Sequence, residues 1–291
     1  MVSEKILKEL SGFSGCKILL IEKEGVHIVR KISKSPDYNI RMIEQKDKQE
    51  YFYHHLQTQL IRTPKILDSG YLNGLFYFDM EYINGISMVK FIEKANLEEL
   101  ISISKKIIEL IKLFANSKKE EIIFLNQKIL KKLNEINDKE KDSSELINEI
   151  KKLIKDENEE IISTFCHGDL TLENIIYDEE NKVYYLIDFL DSFIDHYWQD
   201  VSKLFQDLEG HWYSFRDKEI NTNTMEIKTA IITDTIIKDF LDKDKYLEKH
   251  PLLLSTTFCR ILPYAKREEK PWIKEKIKMA IDSKPKSILF K

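Results

Sequence analysis

Residues 165–192, FCHGDLTLENIIYDEENKVYYLIDFLDS, constrain the fold of this chain more than any other stretch. Two apolar runs, at 174–177 and 183–187, flank the turn signal Asp178-Glu179-Glu180-Asn181. Runs rich in β-branched and aromatic residues, separated by such a polar cluster, spell a β-hairpin. Its first strand follows the loop His167-Gly168-Asp169-Leu170-Thr171-Leu172-Glu173-Asn174, and its second ends on Asp188-Phe189. A hairpin with these ends is expected to bring Asp169, Asn174 and Asp188 toward one edge. Two carboxylates and an amide carbonyl there can hold a divalent metal and orient a hydroxyl. Oxygen ligands are what Mg²⁺ prefers, and it usually shares its site with substrate phosphates. Neither His-Gly-Asp nor a strand-end aspartate carries this inference alone; the ordered set does.

Composition narrows the remaining choices. A chain of 291 residues is long enough for one large or two modest domains with a sizeable core. With 42% hydrophobic and 33% charged residues it is expected to be globular, not disordered. A net charge of −4 gives no argument for a nucleic-acid partner or an anionic membrane surface. Lys and Glu alternate along the helical stretches, which reads as a solvated face. Cys16, Cys166 and Cys259, odd in number and widely spaced, suggest neither a disulfide framework nor a metal knuckle. Cys166 reads as a buried strand-end thiol. The start, MVSEKILKELSG, lacks a basic head with a long apolar run, so no signal peptide is expected. No run approaches the ~18 apolar residues of a transmembrane helix.

HGDLTLEN followed by IDFLDS resembles the catalytic core of the aminoglycoside phosphotransferase and choline kinase family. These are small-molecule kinases with a protein-kinase-like fold. Asp169 and Asn174 keep the kinase spacing of catalytic Asp and metal-binding Asn. Asp188-Phe189 matches the start of Asp-Phe-Gly, and Leu190 replaces the glycine, as the small-molecule branch allows. The resemblance implies an α+β, two-lobed fold. A small β-rich nucleotide-binding lobe would span residues 1–83, and a larger helical lobe with the catalytic loop and acceptor site 84–291. It implies ATP and Mg²⁺ as cofactors, Asp169 as the catalytic residue, and Asn174 and Asp188 as metal ligands. With neither a signal peptide nor a membrane span expected, the cytoplasm, where ATP is available, is the expected compartment.

Further residues gain roles from the same resemblance. Residues 5–10, 16–22 and 26–32 read as three strands. The loop 11–15 between the first two, with Gly12 and Gly15, can close over phosphates with its backbone N–H groups. The third strand ends HIVRKIS, where a kinase carries its phosphate-binding lysine. Side chains alternate along a strand, so Arg30 and Lys31 point to opposite faces. Lys31 shares the face of Val29 and is preferred, with Arg30 as competitor. Residues 39–59 read as a helix in which Glu50 is expected to pair with the lysine, with Glu44 as fallback. Strands at 65–67 and 75–80 surround Asp68-Ser69-Gly70. Met80, Glu81 and Tyr82 then resemble the family's hinge at the adenine.

Residues 86–164 are helical in pattern throughout, broken near 137–143. Asp200 matches a family aspartate that braces the catalytic loop. Asp191, Asp195, Trp198 and Trp212 are candidate acceptor contacts, because acids and aromatic faces suit a sugar or amino sugar. The expected reaction is phosphorylation of a hydroxyl on a small metabolite, with a sugar or cell-surface glycan precursor first. Choline, ethanolamine or aminoglycoside kinases are alternatives. A catalytically silent nucleotide-binding scaffold is a different class; the intact Asp169, Asn174 and Asp188 argue against it. The oligomeric state is left open.

Overall fold

The structure is a computed structural model of the chain and describes residues 4–10, 15–216 and 219–283. The fold is α+β, and the chain divides into two compact units. The first comprises residues 1–88 and 173–191, the second 89–172 and 192–291. The division expected from the sequence falls at 83/84 and leaves the hairpin with the helical half. By contacts, the hairpin groups with the first unit.

The first unit begins with β1 (Glu4–Leu10), β2 (Lys17–Lys23) and β3 (Val26–Ile32), then α1 (Asn39–His55). After β4 (Ile61–Arg62) come β5 (Ile66–Leu72), β6 (Leu75–Glu81) and β7 (Ile86–Ser87). An antiparallel sheet of order β1-β2-β3-β6-β5 packs one face on α1. Strand alternation sends Leu20, Val29, Phe78 and Met80 to that face, where they bury Met42 of α1. Leu19, Ile21 and Ile28 pack together in a second cluster. The expected turn at 68–70 is not where the chain reverses. β5 runs through these residues, past an irregularity between Ile66 and Asp68, and the reversal falls at Asn73-Gly74. Both turn residues have positive φ, +52° and +81°, as a two-residue turn matching the twist of its strands requires.

The hairpin supplies β10 (Ile175–Asp178) and β11 (Val183–Leu186), paired antiparallel with Ile175 opposite Leu186. They are the middle strands of a second sheet, β4-β11-β10-β7.

The second unit is mainly helical. Its elements are α2 (Met88–Lys94), α3 (Leu97–Asn116), α4 (Leu125–Lys139) and α5 (Ser144–Lys151), then α6 (Tyr197–Leu208), α7 (Trp212–Arg216), α8 (Thr222–Asp239), α9 (Tyr246–Cys259) and α10 (Lys270–Asp282). Asn96 caps α3 in a reciprocal box with Glu99, and Leu100, Ile103, Ile107, Ile111 and Phe114 form its buried stripe. The expectation of helix throughout 86–164 is corrected at two places. β8 (Lys118–Phe124) and β9 (Glu160–Thr164) pair antiparallel, with Ile122 opposite Ile162. Each pairs through a short β-branched run that charged neighbours hide from a helical pattern. β9 leads into the loop that bears Asp169. Among the described residues, no helix is long and apolar enough to cross a membrane.

Candidate active site

Strand parity sends the two basic residues of β3 to opposite faces. Arg30 lies opposite Asp79 of β6. Its guanidinium donates twice to that buried carboxylate, at 2.7 Å each, and also pairs with Glu4 at 2.9 Å. Lys31 lies on the α1 face with Val29, and its side chain is 3% exposed. Its Nζ donates to Asp188 Oδ1 at 2.6 Å and to Gln45 Oε1 at 3.1 Å.

The expected partner Glu50 does not reach Lys31; it pairs with Lys46 at 2.8 Å, one helical turn away. Glu44, the fallback, is exposed. The inward stripe of α1 is Met42, Gln45, Gln49 and Phe52, so an amide takes the place the resemblance gives to a carboxylate. An ammonium can only donate, so the Gln45 carbonyl must face Lys31. Its Nε2 then donates to the Tyr38 hydroxyl at 3.3 Å. Several polar residues of α1 fit the expected spacing, whereas the hydrophobic stripe anchored on Met42 and Phe52 selects Gln45.

The same face of α1 fixes the segment after β11. Phe52 packs on Phe189 with ring centroids 5.6 Å apart, and Lys48 donates to the Leu190 carbonyl at 2.7 Å. The Ile187 N–H donates to the Asn174 carbonyl at 3.0 Å, bringing Asn174 and Asp188 to one end of the hairpin. Asp188 has φ +60°, a left-handed conformation that aspartate tolerates better than most residues but that still costs about 1–3 kcal/mol. Strain of that size persists where the surroundings over-determine it, here through Lys31 and α1.

The other nucleotide-directed candidates lie along the first sheet. Met80 is buried against α1, with Gln49 Nε2 3.7 Å from its sulfur. The Glu81 carboxylate accepts the Lys65 N–H at 2.9 Å, and Tyr82 meets His27 edge-on at 6.0 Å. Gly15 has φ +74°, beside the Lys34 side chain; Gly12 lies outside the described residues. Among the described residues no group of three or more His, Cys, Asp or Glu could hold a metal. Asn174 and Asp188 stand at the same end of the hairpin, joined through the Ile187 N–H and the Asn174 carbonyl. The Asp188 carboxylate already accepts a cation, the Lys31 ammonium.

The second unit holds Asp169. Its loop follows β9 through Gly168, whose φ of +90° is readily available only to glycine. α6 pins this loop with three residues on one stripe. The Asp200 carboxylate accepts the N–H groups of His167 at 2.5 Å and Gly168 at 2.8 Å. Asp207 accepts the Leu172 N–H at 2.7 Å. Between them Lys203 pairs with Asp169 at 2.9 Å. Burial alone would raise the Asp169 carboxyl, but the Lys203 ammonium, with His167 and Arg260 adding to it, holds it below the usual carboxylate range. Lys203 and Asp207 were not singled out as loop contacts from the sequence. Their signal is the spacing of three and seven residues from Asp200.

The acceptor candidates scatter. Trp198 is buried and donates its indole N–H to Asp244 at 3.1 Å, a core role. Trp212 stacks on Phe215, which stacks on Trp272, each pair 4.9 Å apart. Asp195 receives the Cys166 thiol and, through its carbonyl, the Ser163 hydroxyl. Asp191 is exposed and belongs to the first unit.

A family model, the phosphotransferase enzyme family, matches residues 10–221. The chain belongs to that family and is a phosphotransferase of the kinase type. Among solved structures it is similar to the crystal structure of an aminoglycoside-3'-phosphotransferase of type VIII. The TM-score is 0.53 and the identity 12%, over 88% of this chain and 93% of that one. At that identity the likeness speaks for the fold. The M. tuberculosis PknI kinase domain aligns with a TM-score of 0.35 and 12% identity, over 64% of this chain and 57% of that one. No curated protein matches the chain.

Proposed function

We propose that this phosphotransferase moves the terminal phosphoryl group of ATP, with Mg²⁺, to a hydroxyl of a small metabolite, a sugar or cell-surface glycan precursor being the first candidate. The observation that carries this reading is the Lys31–Asp188 pair, in which residues 157 apart in sequence meet at 2.6 Å, with Gln45 as second partner. Phosphoryl transfer makes little covalent demand on the protein and a large demand for positioned cations. Lys31 would bind phosphate oxygens, and Asp188 and Asn174 would hold the metal. Mg²⁺ bound there would neutralise charge on the phosphates. Asp169, kept ionised, would accept the proton of the attacking hydroxyl or orient that hydroxyl.

The test is an ATP-consumption screen over hydroxylated metabolites with Asp169→Asn as the blank. The variant is expected to fold normally and to lose about 10²–10⁴-fold in rate on the responding acceptor. Near-full activity in Asp169→Asn would remove the assigned role.

A further inference from the structure

Resting on the kinase reading above, we propose that Lys203 is part of the acceptor site. There it reads an oxygen of the acceptor beside the hydroxyl that Asp169 engages, so that the acceptor is an uncharged or anionic polyol and not a polycation. The sequence offered no role for Lys203, and the loop needs none from it for support, since Asp200 and Asp207 already bind its backbone.

An ammonium carries three N–H groups and accepts nothing. Lys203 Nζ pairs with Asp169 Oδ1 at 2.9 Å and donates to Gln206 Oε1 at 2.7 Å. Among the described residues it has no third partner. Gln206 is fully buried one turn along α6 and fixes the ammonium from behind. The side chains of Lys203 and Asp169 are 13% and 28% exposed, so the pair reaches the surface and is not sealed in the core. An acceptor hydroxyl on Asp169 would therefore have a held cation at its side with a donor to spare.

Charge around the pair points the same way. The groups that act on Asp169 are Lys203 from α6, His167 from its own loop, and Arg260 from the end of α9. Arg260 lies over the Phe193 ring at 4.7 Å. Asp200 directs both carboxylate oxygens to backbone N–H groups, and one oxygen of Asp207 does the same. A polyamine would bring its charge against cations, and like charges in close apposition are strongly disfavoured. A hydroxyl, carboxylate or phosphate oxygen would accept the spare N–H.

The experiment compares wild type, Lys203→Met and Lys203→Arg. ATP consumption is measured with glucose, gluconate and glucose 6-phosphate against kanamycin and choline, beside basal ATP hydrolysis across pH. Transfer to the polyols and not to the amines is expected in wild type. Lys203→Met should raise the acceptor KM about tenfold or more, leave the ATP KM within about twofold, and move the acid limb of basal hydrolysis up by about one pH unit. Lys203→Arg should restore much of both. Preferential use of kanamycin or choline would overturn the inference, as would a folded Lys203→Met protein with an unmoved acid limb. Failure to bind or hydrolyse ATP at all would instead defeat the kinase reading on which it rests.

Discussion

At the scale of single residues, strand parity gives the two basic side chains of β3 different surroundings. Arg30 and Asp79 are both buried and mutually satisfied. Removing one partner of such a pair leaves the other charge uncompensated, at a cost of about 3–5 kcal/mol. Arg30→Ala is therefore expected to lower the urea midpoint sharply while leaving nucleotide affinity in the folded fraction nearly unchanged. Lys31→Ala should do the reverse, weakening ATP binding and turnover. Gln45→Leu should weaken ATP binding about tenfold, since a hydrogen bond to a charged group contributes about 1.5–3 kcal/mol. Nucleotide titrations beside denaturation curves decide it: an Arg30→Ala protein that folds well but binds ATP poorly would reverse the assignment. The separation of Arg30 from Lys31 is legible in sequence because period-two alternation is fixed by backbone geometry. The identity of the lysine's partner is harder to read, because spacing admits several polar residues of α1 and the apolar stripe of Met42 and Phe52 is what sets the rotation that brings Gln45 inward.

At the scale of elements, the hairpin is the most legible part of the chain, since its turn and both its apolar runs are local. β8 and β9 are not, since each is stabilised by a partner some 40 residues away. The start of α6 shows another effect that sequence hides. His196 is its N-cap, and its Nδ1 accepts the Trp198 N–H at 3.3 Å. That nitrogen must therefore be unprotonated. Burial lowers the imidazole to about 4, with Asp244 opposing the shift. The unfolded chain takes up this proton near pH 6.5 and the folded chain only near 4, so stability is lost as pH falls through that window. The total loss is on the order of 3 kcal/mol. His196→Asn keeps a capping oxygen and cannot titrate. It is expected to be less stable at pH 7, because the ring packs on Tyr197 and Trp198, but to lose less on going to pH 5. Urea midpoints at the two pH values test this, and equal losses in both proteins would refute it.

At the scale of the whole molecule, the first unit is assembled from two separate pieces of chain, 1–88 and 173–191. The hairpin's sequence position, after a long helical run, hides this membership; only pairing to β4 and β7 reveals it. The consequence is that residues 1–88 should not fold stably alone. Without the hairpin, the second sheet loses its two middle strands, leaving β4 and β7 with no neighbour. The Thr63 hydroxyl loses the Leu186 carbonyl at 2.9 Å, and Phe52 loses Phe189. Lys31 loses its carboxylate partner and keeps Gln45. These losses fall on a unit whose total stability is about 5–15 kcal/mol. The 1–88 fragment is thus expected to show poorly dispersed amide resonances and no cooperative urea transition. Appending residues 173–191 through a short flexible linker should restore both. Replacing Asp188 with Ala in the appended piece should undo part of the gain by stranding Lys31 again. A cooperatively folded 1–88 fragment, as stable as the appended one, would mean that the hairpin is a passenger on the first unit and that Lys31 does not depend on it.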